Sequence, residues 1–217
     1  MRSAMMNTLE HLKKYPIISI LRRLPQENCL KAVQALYEGG IRSVEITADS
    51  DDILSTIGEI KMRYPSMKVG AGTVLSVDMA EQLLDCRVDF MLSPVVNKTV
   101  IQKVVMNNCI MIPGAFTPTE VLEAYEAGAQ IIKLFPAHFL GSKFIKDLSG
   151  PLPFIPCAPT GGIDSSNILE YLEAGAHCLG VSSAFPTHSK TIGDNEYQEI
   201  VRKALEITAI VRKFQEG

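Results

Sequence analysis

Three stretches of this chain can be laid over one another without a gap, and that echo constrains the fold more than any other feature. They are Tyr37-Glu-Gly-Gly-Ile-Arg-Ser-Val-Glu45-Ile-Thr47, Tyr125-Glu-Ala-Gly-Ala-Gln-Ile-Ile-Lys133-Leu-Phe135 and Leu172-Glu-Ala-Gly-Ala-His-Cys-Leu-Gly180-Val-Ser182, with Leu84 to Pro94 as a weaker fourth copy. In each clear copy a helix should end at a glycine able to take the left-handed cap, and a strand should begin one or two residues later.

The echo sits inside a longer rhythm. Eight short, largely β-branched runs read as strands: Ile17–Leu21, Ser43–Thr47, Lys68–Thr73, Asp89–Ser93, Ile110–Pro113, Gln130–Phe135, Phe154–Thr160 and Cys178–Ser182. Their starts recur every ~20–26 residues, close to the minimum for a strand, a helix and two short loops. The echo copies precede the second, fourth, sixth and eighth. Thr117-Pro118-Thr119-Glu120 is a capping box with proline at the first helical position, so a helix should begin there and run towards Gly128. Tyr197, Ile200, Val201, Ala204, Ile207 and Val211 follow helical spacing and read as a packing stripe.

Alternating strands and helices imply a parallel sheet. Eight such units without a long linker predict a (β/α)8 TIM barrel, a single domain over residues 1–217, with 1–15 as an N-terminal helical extension. A doubly wound open sheet is the competing topology. Against it, the first turn, Leu21-Arg22-Arg23-Leu24-Pro25, has no glycine-rich phosphate loop.

Composition removes several classes of function. The chain has 217 residues, 47% of them hydrophobic and 21% charged, which is enough apolar material for a large core and too much for disorder. The net charge is −3, so nucleic acid is not expected as a partner. Arg2, Glu10, Lys13 and Lys14 interrupt the N-terminus, and no run approaches the roughly 18 apolar residues of a membrane span. A soluble cytoplasmic protein with no membrane partner is the expectation. The five cysteines, Cys29, Cys86, Cys109, Cys157 and Cys178, form no C-x-x-C pair and read as reduced, mostly buried thiols. His11, His138, His177 and His188 show no metal-ligand spacing, so no metal site is expected. His138, just past the sixth strand, reads as a solvent-facing loop residue.

In a barrel the reactive residues lie at the C-terminal ends of the strands. Glu45, Lys133 and Gly180 occupy equivalent echo positions, with Leu92 their counterpart on the fourth strand, so all should point inward together. Glu45 and Lys133 would then face each other across the mouth. Lys133 lies in the apolar run Ile131-Ile132-Lys133-Leu134-Phe135, where a permanent charge is costly. Burial favours the neutral amine, the form that attacks a carbonyl to make a Schiff base, and a carboxylate opposite could carry protons. A strand-end lysine reaching solvent, or a buried Lys–Glu ion pair, fits the same spacing, and spacing alone leaves these open.

Val69-Gly70-Ala71-Gly72-Thr73-Val74 ends the third strand with small residues that would leave room for a ligand. Pro159-Thr160-Gly161-Gly162-Ile163 and Gly180-Val181-Ser182-Ser183 follow the seventh and eighth strands, where backbone N–H groups frequently bind phosphate; tight-turn glycines are the plainer account.

Glu45, Gly70-Ala-Gly-Thr73, Lys133-Leu-Phe-Pro136 and Pro159-Thr-Gly-Gly-Ile163, in this order and spacing, resemble the bacterial 2-keto-3-deoxy-6-phosphogluconate/4-hydroxy-2-oxoglutarate aldolase family from about Pro16 to Phe214. The resemblance implies a class I aldolase of (β/α)8 fold, without metal or other cofactor, acting on a small 2-keto acid and typically a homotrimer. Lys133 then looks like the Schiff-base lysine and Glu45 like the general acid/base. Thr73 matches the threonine near the pyruvate carboxylate, Pro94 and Phe135 match pocket-lining residues, and Arg22 matches an anion-binding arginine. Gly161, Gly162 and Ser183 match the loops at the phosphate end, with Ser182 beside them.

Three departures bear on substrate. Asp49 stands where some members carry arginine, so Arg22 would hold the carboxylate alone. Ser182 replaces a glycine, adding a hydroxyl that could bond a phosphate or block it. His138 stands where glutamate or glycine is usual. The leading expectation is retro-aldol cleavage of a 2-keto-3-deoxy sugar acid, 6-phosphorylated, to pyruvate and an aldehyde such as glyceraldehyde 3-phosphate. A metal-assisted decarboxylase or epimerase on a phosphate-binding barrel is the alternative, weakened by the lack of an evident acidic metal cluster. A non-catalytic sugar-phosphate binding protein is a third, weakened by the intact Lys133/Glu45 pair.

Overall fold

A computed structural model describes residues 2–50, 52–187 and 191–217; Met1 of the expected N-terminal extension and His188 lie outside the described residues. Helices and strands alternate in chain order: α1 (Arg2–Lys14), β1 (Ile17–Leu21), α2 (Gln26–Glu38), β2 (Ser43–Thr47), α3 (Ile53–Arg63), β3 (Lys68–Gly72), α4 (Val77–Asp85), β4 (Phe90–Leu92) and α5 (Lys98–Met106). Then follow β5 (Ile110–Ile112), β6 (Gly114–Ala115), α6 (Pro118–Glu126), β7 (Ile132–Leu134), α7 (Ala137–Ser149), β8 (Cys157–Pro159), α8 (Ile168–Glu173), β9 (Leu179–Val181) and α9 (Asp194–Glu216).

All strand pairings are parallel, but the strands do not close into the expected eight-stranded TIM barrel. They form a six-stranded sheet in the order β5-β4-β3-β2-β1-β9 and a separate three-stranded sheet, β6-β7-β8. The break lies inside what the sequence presents as one strand. Pro113 has no N–H to donate, so the run divides there into β5 and β6, one in each sheet. At the other seam, among the described residues, β8 and β9 have no ladder and are joined by the isolated bridge Thr160↔Gly180 and by the His177 amide donating to the Cys157 carbonyl at 2.8 Å. The architecture is a curled β/α barrel rather than a closed (β/α)8 one.

The echo glycines behave as their pattern requires. Gly40, Gly128 and Gly175, aligned in the three copies, have φ of +92°, +106° and +97°. The capping box at Thr117 forms, with the Glu120 amide donating to Thr117 Oγ1 at 3.3 Å and the Thr117 amide to Glu120 Oε2 at 2.9 Å. On α9 the expected stripe buries Ile200, Ala204, Ile207 and Val211. β1 and β2 have the expected bounds, whereas Phe154–Thr160 contracts to Cys157–Pro159 between prolines that supply no N–H. Cys29, Cys109, Cys157 and Cys178 are buried free thiols pushed up to about 12 by desolvation; Cys86 is free and half-buried.

Strand alternation separates two cores. Val44, Ile46, Val69, Ala71, Met91, Met111, Ile132 and Leu134 point outward and pack beneath the helices. Ile18, Phe90, Leu92, Ile110, Ile112, Ile131, Ala158 and Cys178 point into the barrel. Leu12 of α1 joins this inner cluster, with Met5 and Leu9 against it, so α1 plugs the N-terminal end. Two histidines attach the plug: His11 Nε2 lies 3.0 Å from the Arg42 carbonyl and His177 Nε2 lies 3.4 Å from the Leu9 carbonyl. Burial holds both imidazoles below the usual histidine range. With the N-terminal end filled, the C-terminal ends of the strands are left for chemistry.

Candidate active site

Ile20, Glu45, Gly70, Phe90 and Ile110 occupy one register row of the larger sheet, and Gly114, Lys133 and Ala158 occupy one row of the smaller. Phe90, Ile110 and Ala158 belong to the inner cluster, so Glu45 and Lys133 face the interior, as their shared echo position requires. Both are nearly sealed from solvent, at 2% and 7% exposure. The strand-end lysine that simply reaches water is therefore excluded.

The glycines of β3 make room for protein rather than for a ligand. A Cβ on Gly70 would overlap the Phe90 ring, and one on Gly72 would overlap the Glu45 carboxylate. The sequence suggests open space beside the backbone here; the structure fills it with these two side chains.

Burial is the dominant influence on both titrating groups. It raises the Glu45 carboxyl above the ordinary carboxylate range, opposed by the positive charges of Lys133 and then Arg22. It lowers the Lys133 ammonium, opposed by Glu45 and reinforced by Arg22. Among the described residues no contact ion pair joins the two, and Glu45 Oε2 is buried without a hydrogen-bond partner. Two titrating groups, each shifted towards its neutral form, are thus enclosed together in a low-dielectric chamber. Lys133 Nζ also stands 4.8 Å from the centroid of the Phe135 ring, which forms one wall.

The other expected residues surround this pair unequally. Arg22 is exposed just past β1, within electrostatic reach of both Glu45 and Lys133. Thr73 follows β3 with φ of +61°, a left-handed conformation that strains a β-branched residue by about 1–3 kcal/mol. Pro94 is half-buried past β4, its carbonyl against Gly114. Gly161 and Gly162 are both left-handed, with φ of +98° and +74°, in the turn after β8; a Cβ on Gly161 would stand 3.6 Å from the Phe135 ring. Asn167 Nδ2 donates to the Gly162 carbonyl at 2.8 Å. Ser182 is half-buried, and Ser183 is exposed in a cleft with Asp164, Ser166 and Lys203. His138 is exposed as expected, but in the first turn of α7 rather than a loop, and a Cβ on Gly162 would meet its side chain at 2.7 Å.

Sequence reasoning missed Thr47, which is 2% exposed and lies two residues beyond Glu45 on the same face. The period of two in Glu45-Ile46-Thr47 carried that signal. It also left Asp49 without a partner. In the structure Asp49 Oδ2 accepts from Arg23 Nε at 2.6 Å.

Residues 8–203 match the model of the KDPG and KHG aldolase family. The chain belongs to that family. This KDPG/KHG aldolase-family chain is an aldolase, and hence a lyase. It is 35% identical over 191 residues to the probable 2-dehydro-3-deoxy-6-phosphogalactonate aldolase of Rhizobium meliloti (strain 1021), covering 87% of this chain and 90% of that one. It is 31% identical to the 2-dehydro-3-deoxy-6-phosphogalactonate aldolase of Escherichia coli (strain K12), covering 94% and 97% of the two. Among solved structures, the KDPG aldolase from Legionella pneumophila, with pyruvate captured at low pH as a covalent carbinolamine intermediate, superposes with a TM-score of 0.82 at 25% identity, covering 91% of this chain and 96% of that one. No helix among the described residues of this aldolase is long and apolar enough to cross a membrane.

Proposed function

We propose that this aldolase cleaves a 2-keto-3-deoxy sugar acid carrying a 6-phosphate to pyruvate and glyceraldehyde 3-phosphate through a Schiff base on Lys133. The observation that carries the reading is the enclosed Lys133/Glu45 pair, each member shifted towards its neutral form. The neutral amine of Lys133 attacks the C2 carbonyl, and the Glu45 carboxyl gives its proton to the hydroxyl of the resulting carbinolamine, which leaves as water to give a protonated imine and a Glu45 carboxylate. Glu45, as carboxylate, takes the proton of the C4 hydroxyl directly or through a water. The C4–O electrons form the aldehyde carbonyl, the C3–C4 bond breaks, and the imine accepts its electrons as an enamine. Protonation at C3 from Glu45 and hydrolysis of the imine release pyruvate and regenerate the amine.

Arg22 and Thr73 hold the C1 carboxylate, and Phe135 and Pro94 wall the pyruvate portion. Gly161, Gly162, Ser182 and Ser183 take the phosphate, for which two consecutive left-handed glycines form a suitable backbone N–H turn. The reaction belongs in the cytoplasm, where phosphorylated acids cannot leak across a membrane. The working form is a homotrimer; exposed Val95, Phe116 and Phe139 beyond β4, β6 and in α7 supply apolar surface for subunit contact.

Borohydride trapping in the presence of pyruvate tests the chemistry. One pyruvyl-derived mass should appear on Lys133, and coupled pyruvate release should be measurable with the gluconate or galactonate epimer. No adduct, together with activity surviving in Lys133→Arg, would overturn the mechanism. Light scattering that finds only the 23.8 kDa species would remove the trimer.

A further inference from the structure

The turn after β1 carries two adjacent arginines, and they are treated differently. Arg23 has φ of +52°, a left-handed conformation unusual for a residue with a side chain. It is held from two directions: its amide donates to Ser50 Oγ at 3.2 Å and its Nε to Asp49 Oδ2 at 2.6 Å. Ser50 is in turn seated on β2, its amide donating to the Thr47 carbonyl at 2.9 Å and its hydroxyl 3.2 Å from Thr47 Oγ1. Thr47 is buried in line with Glu45, so this strap ties the end of β1 to the strand that supplies the carboxyl.

Arg22 makes no ion pair among the described residues, yet its charge reaches Glu45 and Lys133. Asp49 is also within electrostatic range of Arg22, and a carboxylate there could capture it. Its ion pair is with Arg23 instead, and the Thr47 hydroxyl also steadies its carboxylate.

We propose that Asp49 is a positioning residue: by engaging Arg23 in its left-handed turn it keeps Arg22 unpaired and aimed at the Glu45/Lys133 chamber, where Arg22 binds the carboxylate of the 2-keto acid. This rests on the aldolase reading and adds to it how the charge reversal at position 49 serves binding. Since the Asp49–Arg23 pair is largely exposed, it contributes little to stability, and its effect falls on ligand affinity.

The test is the pyruvate concentration giving half-maximal borohydride trapping at Lys133, measured on the full chain. Asp49→Ala and Arg23→Met should each raise it about fivefold, with the maximal trapping rate and the thermal midpoint unchanged. Asp49→Glu should restore it to within about twofold of the parent value. In an Arg22→Met background, Asp49→Ala should add nothing, because the residue it acts through is gone. An unchanged half-saturation in Asp49→Ala, or the same fivefold rise in the Arg22→Met background, overturns the proposal while the parent adduct upholds the aldolase reading. A parent protein that forms no adduct overturns both.

Discussion

The Glu45 carboxylate occupies the space where a Cβ on Gly72 would stand. β2 and β3 pair Thr47 with Gly72 and Glu45 with Gly70, so Gly72 lies one inward step beyond Glu45 and the carboxylate leans across it. Gly72→Ala should therefore displace Glu45 rather than fill a void. Overpacking of this kind costs about 1–3 kcal/mol, and if Glu45 carries the proton as proposed, kcat should fall by about 10²-fold because it is misplaced. Urea unfolding and steady-state kinetics measure the two effects. A stable variant with parental kcat would show that Glu45 need not stand there.

Glu45 also gives the fold a pH signature. Its folded pKa is raised above the ordinary 4.5, so it binds a proton more tightly folded than unfolded. That contribution is full below the unfolded value and is lost as pH rises through the folded one. Glu45→Gln cannot lose it. The stability difference in favour of Glu45→Gln should widen as pH rises from about 4.5 towards neutrality, in urea melts taken across that window. A flat difference would mean that the carboxyl titrates as if exposed.

Lys133 has the opposite sign, with a folded pKa below the usual 10.5. Its contribution is present above 10.5 and lost as pH falls through the folded value. Lys133→Met should be catalytically dead yet no less stable than the parent at pH 7, since on folding the lysine must either desolvate its ammonium or give up the proton it holds in the unfolded chain. A variant that unfolds more readily at pH 7 would mean that the ammonium is held by compensating contacts instead.

Imine chemistry on Lys133 requires no Lewis acid. Pyruvate release should persist in excess EDTA at the untreated rate. Loss restored by added Mg²⁺ would mean that the lysine does not carry the reaction alone.

At the proposed phosphate end, Gly162→Asp would introduce a side chain at φ of +74° against His138 and a negative charge where we propose that the phosphate binds. The kcat/KM for the phosphorylated acid should fall by about 10²-fold while pyruvate trapping at Lys133 survives. Equal losses on phosphorylated and free acids would assign this turn to maintaining the fold.

At the other end of the barrel, Leu12→Ala should cost about 2–5 kcal/mol by opening a cavity under the plug formed by α1. Trapping at Lys133 should persist below the unfolding temperature. A loss well under 1 kcal/mol would mean that α1 is an appendage rather than part of the core.

The period-two and period-3.6 patterns are local properties of the chain, and so is the left-handed glycine that ends a helix. These determined the parallel β/α succession, the bounds of β1 and β2, the capped start of α6, the buried stripe of α9, and the common inward direction of Glu45 and Lys133. Closure of the sheet is not local. It depends on whether every seam can exchange backbone hydrogen bonds, and Pro113 with the sparse contact of β8 and β9 decided that it does not. Likewise, only packing across the strands could reveal that Gly72 yields its space to Glu45, that Asp49 engages Arg23 rather than Arg22, and that the lysine and carboxyl are buried within reach of each other's charge. Burial and charge pairing are properties of neighbours distant in sequence, and the chain acquires them only when it folds.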